Sequence, residues 1–249
     1  MNRFNDRLCV LLASALILLL TGCASDMDRN RSLHPDPNTR LDQMLELYQQ
    51  SLVEASGCGE IFQADRGILN CERILLEVER LQVEFPQHAR IQLSTAVLNY
   101  QAGRPDKAQF LLDQLLALRG RHPEAAILRS RIALEQGNSG LARELLQRQI
   151  LRAPEYPELR EALAAAFYLE GKYAEASRTL AIASRLGAPG WRQAYHNGLI
   201  SEARRNWQQA CGYYRSALHL KPAFTAARAR MIGLGEHLEC TGDPQEAQS

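Results

Sequence analysis

The sequence predicts an all-α protein, a stack of antiparallel helix pairs closed by a C-terminal capping helix. Three observations carry that expectation. Four stretches, QAGRPDKAQFLLDQLLAL, EQGNSGLARELLQRQILRAP, LEGKYAEASRTLAIASRLGAP and ARRNWQQACGYYRSALHLKP, align in register. Gly103, Gly137 and Gly171 are spaced by 34 residues, and Ala108, Ala142, Ala176 and Ala210 by the same 34. Second, Ala183 and Ala217 stand seven places further on, with Leu115 and Gln149 in the other two copies. Third, Pro154 and Pro222 close two copies at matching places, while Pro189 falls one residue late and Pro123 three residues past the corresponding Gly120.

Each position has a physical reason. Glycine tolerates the positive φ that a short helix–helix turn needs. The alanines fall where the two helices of a pair cross, and a larger side chain there would push them apart. Proline cannot continue a helix and suits the first turn of the next one. The fourth copy departs by placing Arg205 at the glycine position, but it keeps Gly198, Trp207, Ala210, Ala217 and Pro222. A 34-residue unit of two helices resembles the tetratricopeptide repeat (TPR). The resemblance covers residues 89–222 as four units and implies a TPR-type α-solenoid.

The flanks fit such an array. Residues 40–86 form a degenerate N-terminal helix pair. In RLDQMLELYQQSLVEA, residues Leu41, Met44, Leu45, Tyr48 and Leu52 recur at helical spacing behind an N-capping Thr39. LNCERILLEVERLQVEF reads as the second helix, stopped by Pro86. The loop between them, SGCGEIFQADRG, is longer than usual for such a pair. FTAARARMIGLGEHLEC reads as a capping helix over residues 223–240, which an array with apolar ends requires. Residues 241–249 read as a disordered tail and residues 23–39 as a flexible tether, polar and holding two prolines in PDP.

Residues 1–22 read as a signal peptide: Arg3 and Arg7 precede the 13-residue apolar run Leu8–Leu20. A transmembrane helix needs about 20 apolar residues, so the run is too short to span. It ends in Leu20-Thr21-Gly22-Cys23, which resembles the lipobox of bacterial lipoproteins. The resemblance implies cleavage before Cys23, lipid on its thiol and attachment to a membrane. Ala24, rather than aspartate, follows Cys23. By the sorting rule of enteric bacteria this implies the outer membrane, with the domain facing the periplasm.

Without residues 1–22 the chain has 227 residues and zero formal charge, 27 Lys and Arg against 27 Asp and Glu. Nothing in that balance suggests nucleic acid. Cys9 leaves with the signal, and Cys58, Cys71, Cys211 and Cys240 remain in an oxidising compartment. Four cysteines allow three pairings, of which Cys58–Cys71 with Cys211–Cys240 is the simplest. A metal site using His219, His237 and Glu239 is the alternative, but no CxxC or HExxH spacing supports it.

The sequence holds no GxSxG, HExxH or phosphate-binding glycine loop, and His88 and His122 fall in turns between units. We therefore expect no enzyme, no cofactor, no metal and no small-molecule substrate. A protein-binding surface is expected instead. In TPR arrays, positions 2, 5, 9 and 12 of each first helix (helix A) usually line a groove. By that resemblance the groove holds Arg90, Leu93, Val97 and Tyr100; Glu124, Ile127, Arg131 and Leu134; Glu158, Glu161, Ala165 and Tyr168; and Arg192, Tyr195, Leu199 and Glu202. Arg90, Tyr100, Arg131, Glu161, Tyr168, Arg192, Tyr195 and Glu202 are the candidate contacts, since tyrosine and arginine are favoured anchors. Positions 5 and 9 lack the Lys and Asn of carboxylate-clamp TPRs. The expected function is a membrane-anchored scaffold for protein partners in an envelope machine, a type IV or Tad pilus or a secretion system first. An adaptor for peptidoglycan hydrolases or for outer-membrane protein assembly is the alternative.

Overall fold

A computed structural model of the chain describes residues 36–54, 71–118, 120–235 and 240. Among the described residues there are eleven α-helices and no strand. They are α1 (Pro37–Glu54), α2 (Cys71–Glu84), α3 (Ala89–Gln101), α4 (Pro105–Ala117), α5 (Pro123–Glu135) and α6 (Ser139–Arg152). After them come α7 (Pro157–Leu169), α8 (Tyr173–Arg185), α9 (Gly190–Ala203), α10 (Trp207–Leu220) and α11 (Thr225–Gly235). The all-α expectation holds. None of these helices is long and apolar enough to cross a membrane. The signal segment, Cys23, the tether to residue 35, Cys58 with its loop, His237, Glu239 and the tail all lie outside the described residues.

The chain divides into two units, residues 1–91 and 92–249. In the first, α1 starts earlier than the sequence suggested. Asp36, not Thr39, caps it: its carboxylate accepts from the backbone N–H groups of Asn38 (3.1 Å) and Thr39 (3.3 Å). Pro37 fits the first helical position because its missing N–H would have no partner there. Leu41 and Tyr48 are buried, as are Ile74, Leu75, Val78 and Leu81 of α2. That second set follows the i, i+1, i+4, i+7 stripe of a half-buried helix. Arg40 of α1 bridges to Glu84 of α2 at 2.8 Å.

In the second unit the 34-residue period is explicit in the backbone. Gly103, Gly137 and Gly171 have φ of 73°, 76° and 72°. Each turn closes with the same pair of bonds, for example Gly137 N–H to the Leu134 carbonyl (3.0 Å) and Asn138 N–H to that of Ala133 (2.7 Å). Arg205 takes the same conformation at φ 62°, and the same pair of bonds recurs there, Arg205 N–H to Glu202 and Asn206 N–H to Ser201. Pro105, Pro123 and Pro157 open α4, α5 and α7, and the Asn138 side chain caps α6 by accepting from Leu141 N–H.

Ala108, Ala142, Ala176 and Ala210 are all fully buried at the helix crossings. Gln149, at a position small in the last two copies, is 2% exposed. Its side-chain oxygen is satisfied by the His122 N–H at 3.2 Å. Gly198 is required by packing: a Cβ there would lie 2.6 Å from Cδ1 of the buried Tyr214 ring. Cys211 and Cys240 are joined by a disulfide, Cα to Cα 5.8 Å. They share a cluster with Tyr214, Ala217, Ala227 and Leu234 that seats α11 on α10. Cys71 is also disulfide-bonded; the expected pairing with Cys58 lies outside the described residues.

Candidate functional site: the face of the A helices

The second unit carries the A helices α5, α7 and α9 and the larger part of α3. α7 packs against α5, and its B helix α8 packs against α9, so that the candidate residues of successive units come side by side. Several of their polar groups are paired with side chains of other helices. Tyr100 donates to Glu135 Oε1. Tyr156, at the start of α7, donates to Glu124 at 2.7 Å, and that carboxylate pushes the phenol pKa up to about 12. Arg192 of α9 bridges to Glu161 of α7 at 3.0 Å. Glu202 accepts from Tyr214 at 2.6 Å and from Arg230 of α11 at 3.0 Å.

Glu161 is the least exposed of the candidates, at 9%. Burial holds its carboxyl above the usual range, against the opposing pull of Arg192. One of its oxygens, Oε1, is buried with no hydrogen-bond partner. Arg131 stays exposed. In the first unit, Arg90 pairs with Asp42, and the bond from Arg90 holds that carboxyl below its ordinary range.

The tyrosines are half-buried rather than free. Tyr195 stacks edge-on against Phe224 (4.9 Å between centroids) and lies 5.8 Å from Tyr214. Tyr168 lies 5.7 Å from Tyr173, and burial raises its phenol pKa. Sequence reasoning missed Trp191, which packs on Phe224 at 4.7 Å with the Lys221 ammonium 4.0 Å above its ring. The signal was there in the three aromatics Trp191, Tyr195 and Phe224, but their meeting depends on where α11 turns back. It also missed Glu135, the last residue of its A helix, and Arg230, which lies beyond the last unit. Among the described residues no group of three His, Cys, Asp or Glu could hold a metal ion. The arrangement offers recognition by shape and paired charge.

Comparison with known proteins matches no family model. The fold is similar to that of a thermophilic TPR protein of Thermus thermophilus, with TM-score 0.63 and 17% identity, over 80% of this chain and 98% of that one. It is similar to MamA, with TM-score 0.52 and 17% identity, over 61% of this chain and 90% of that one. It is also similar to YrrB, a TPR protein with an unusual peptide-binding site, with TM-score 0.50 and 16% identity, over 64% of this chain and 82% of that one. The fold is thus a TPR-type α-solenoid of antiparallel helix pairs. In sequence, 115 residues are 36% identical to cellulose synthase operon protein C of Xanthomonas axonopodis pv. citri (strain 306). That match covers 42% of this chain and only 8% of the relative.

Proposed function

We propose that the protein is a non-enzymatic scaffold, held at a bacterial membrane by lipid on Cys23, that recruits protein partners through the A-helix face of its TPR array. The observation that carries this reading is that the A helices α5, α7 and α9 leave Ile127, Arg131, Glu158, Tyr168 and Leu199, a mixed set of side chains, at least partly exposed. Such a surface suits a protein or peptide ligand, since aromatic and arginine anchors among aliphatic contacts are what interfaces favour. The LTGC sequence supports a lipid anchor and Ala24 after Cys23 supports the outer membrane, with the domain facing the periplasm; a pilus or secretion system is the machine we favour. The likeness to a cellulose synthase operon protein favours a second reading, a scaffold in a polysaccharide-producing envelope machine.

The test reverses two charges on that surface. Arg131→Glu with Glu158→Lys should leave the helical circular-dichroism signal and melting temperature unchanged, because neither side chain is buried. Crosslinking in intact envelopes, followed by mass spectrometry, should recover a defined partner with the wild type and lose it with the double variant. Recovery of the same partner by both proteins would remove the A-helix face from the mechanism. Cys23→Ala should release the protein from the membrane fraction, and an unmodified N-terminus elsewhere in the wild type would rule out the anchor.

A further inference from the structure

The third unit breaks the pattern of its neighbours at two places, and the fourth at a place facing them. Position 9 of helix A holds Val97, Arg131 and Leu199 in the other units and Ala165 here. Position 13 holds Gln101, Glu135 and Ala203 elsewhere and Leu169 here, 60% exposed. The fourth unit places His196 where the other three have Ser94, Leu128 and Ala162. These departures meet in one cavity of about 180 Å³ between α7, α8 and α9.

The floor of the cavity is Ala164, Leu180 and Ile200, exposed by 2%, 2% and 5%. Its rim is Tyr168, Leu169 and Leu199, all at least partly exposed, so it opens at the A-helix face. A cavity of about 150 Å³ with apolar walls accepts a benzene ring, so the volume suits a branched aliphatic or phenyl group. His196 is the one lining residue with an ionisable ring nitrogen, and its ring lies 5.8 Å from that of Tyr195. Burial, with Arg192 one turn away, keeps its imidazole neutral by lowering its pKa. Arg192, the cation acting on His196, is bridged to Glu161, and Arg230, which acts on Tyr168, is bridged to Glu202. A charged occupant would lose its hydration without gaining a counter-ion. A neutral apolar group carrying an adjacent hydrogen-bonding amide satisfies walls and imidazole together, and that combination is what one residue of a bound peptide supplies.

We infer that this cavity is the specificity pocket of the A-helix face, taking a single Leu-, Met- or Phe-sized side chain of a partner peptide whose main-chain amide bonds His196. The inference rests on the scaffold reading above. Ala165 leaves the room, Leu169 makes the mouth apolar, and His196 fixes the depth at which the main chain stops.

Short random peptides displayed on phage and panned against the full chain test it. The wild type should enrich peptides that share one Leu, Met or Phe at a fixed position. Replacing that peptide residue by Ala should weaken binding by roughly tenfold or more, as expected for a buried anchor. Ala165→Leu fills the cavity and should weaken the parent peptide to the same degree without lowering the melting temperature. The Ala-substituted peptide should bind that variant no worse than it binds the wild type. Leu169→Glu changes only the exposed rim, so it reports on the mouth even if the filled variant does not fold. It too should weaken the parent peptide, and His196→Phe should weaken it without altering the preferred side chain. If Ala165→Leu folds and binds the parent peptide as the wild type does, the cavity is a packing void and the inference falls while the scaffold reading stands. The same conclusion follows if Leu169→Glu leaves binding unchanged. If the wild type enriches no peptide at all, the scaffold reading falls and the pocket with it.

Discussion

Arg205 is the residue at which local chemistry and fold disagree most openly. Three units make the A-to-B turn with glycine at φ 72–76°, and the fourth makes it with arginine at φ 62°. For an L-residue that conformation costs roughly 1–2 kcal/mol, because Cβ crowds the following carbonyl. The side chain is exposed, so removing it sacrifices no packing. Arg205→Gly should therefore raise stability by about 1 kcal/mol, less the extra entropy glycine gives the unfolded chain. Urea unfolding with an unchanged m-value measures it, and an equal or lower midpoint would mean that the arginine makes a compensating contact.

Glu161 offers a second measurement at this scale. Its folded pKa lies above the ordinary carboxylate value because burial outweighs the Arg192 bridge. A raised acid binds more protons folded than unfolded, so its charge costs stability at neutral pH. That cost is fully present above the folded pKa and disappears as pH falls through it toward 4.5, the ordinary value for this group. Glu161→Gln should remove this increment. The stabilities of wild type and variant should therefore converge or diverge as pH falls from 7 toward 4.5, and parallel pH profiles over that range would contradict the assignment.

At the scale of elements, the helix pairs were legible because their signals are local. Gly137, Ala142 and Pro123 each specify a turn, a crossing or a helix start within a few residues, and repetition of the unit at 34 multiplies the signal. The start of α1 was less legible. Asp36 outcompetes Thr39 as cap because Pro37 already has the φ of a first helical residue, which the hydrophobic pattern from Leu41 onward does not report. The pairings along the A helices were not legible. Arg192–Glu161 and Glu202–Arg230 join residues 31 and 28 apart, and nothing in either helix alone specifies such partners. Tyr195 shows the consequence. Read as a groove residue, it should be removable at little cost; packed on Phe224 and Tyr214, it is an inter-helix contact. Tyr195→Ala should cost about 2 kcal/mol or more, somewhat below the 3–5 of a fully buried aromatic. Tyr195→Phe should recover most of that in thermal melts, and full stability of the alanine variant would return Tyr195 to the free surface.

Across the whole molecule, a stack of repeats is stable through its neighbours, so the last unit depends on what covers it. Here α11 does so with Ala227 and Leu234 buried, Arg230 bound to Glu202, and Cys240 tied to Cys211 of α10. The bridge spans 29 residues, and a loop of that size confers roughly 2–4 kcal/mol by restricting the unfolded chain. In a compact globular domain that loss would be shared by every element. In a nearest-neighbour array it should stay local, because α5 to α8 touch neither cysteine. Replacing Cys211 and Cys240 by serine should therefore strip hydrogen-exchange protection from α10 and α11 first, with α9 following, while α5 to α8 keep theirs. The same gradient should appear in the wild type under a reductant strong enough to open the bridge. A uniform drop from α5 to α10 would mean instead that residues 92–235 unfold as one cooperative body, and that the array lacks the one-dimensional energetics its repeats imply.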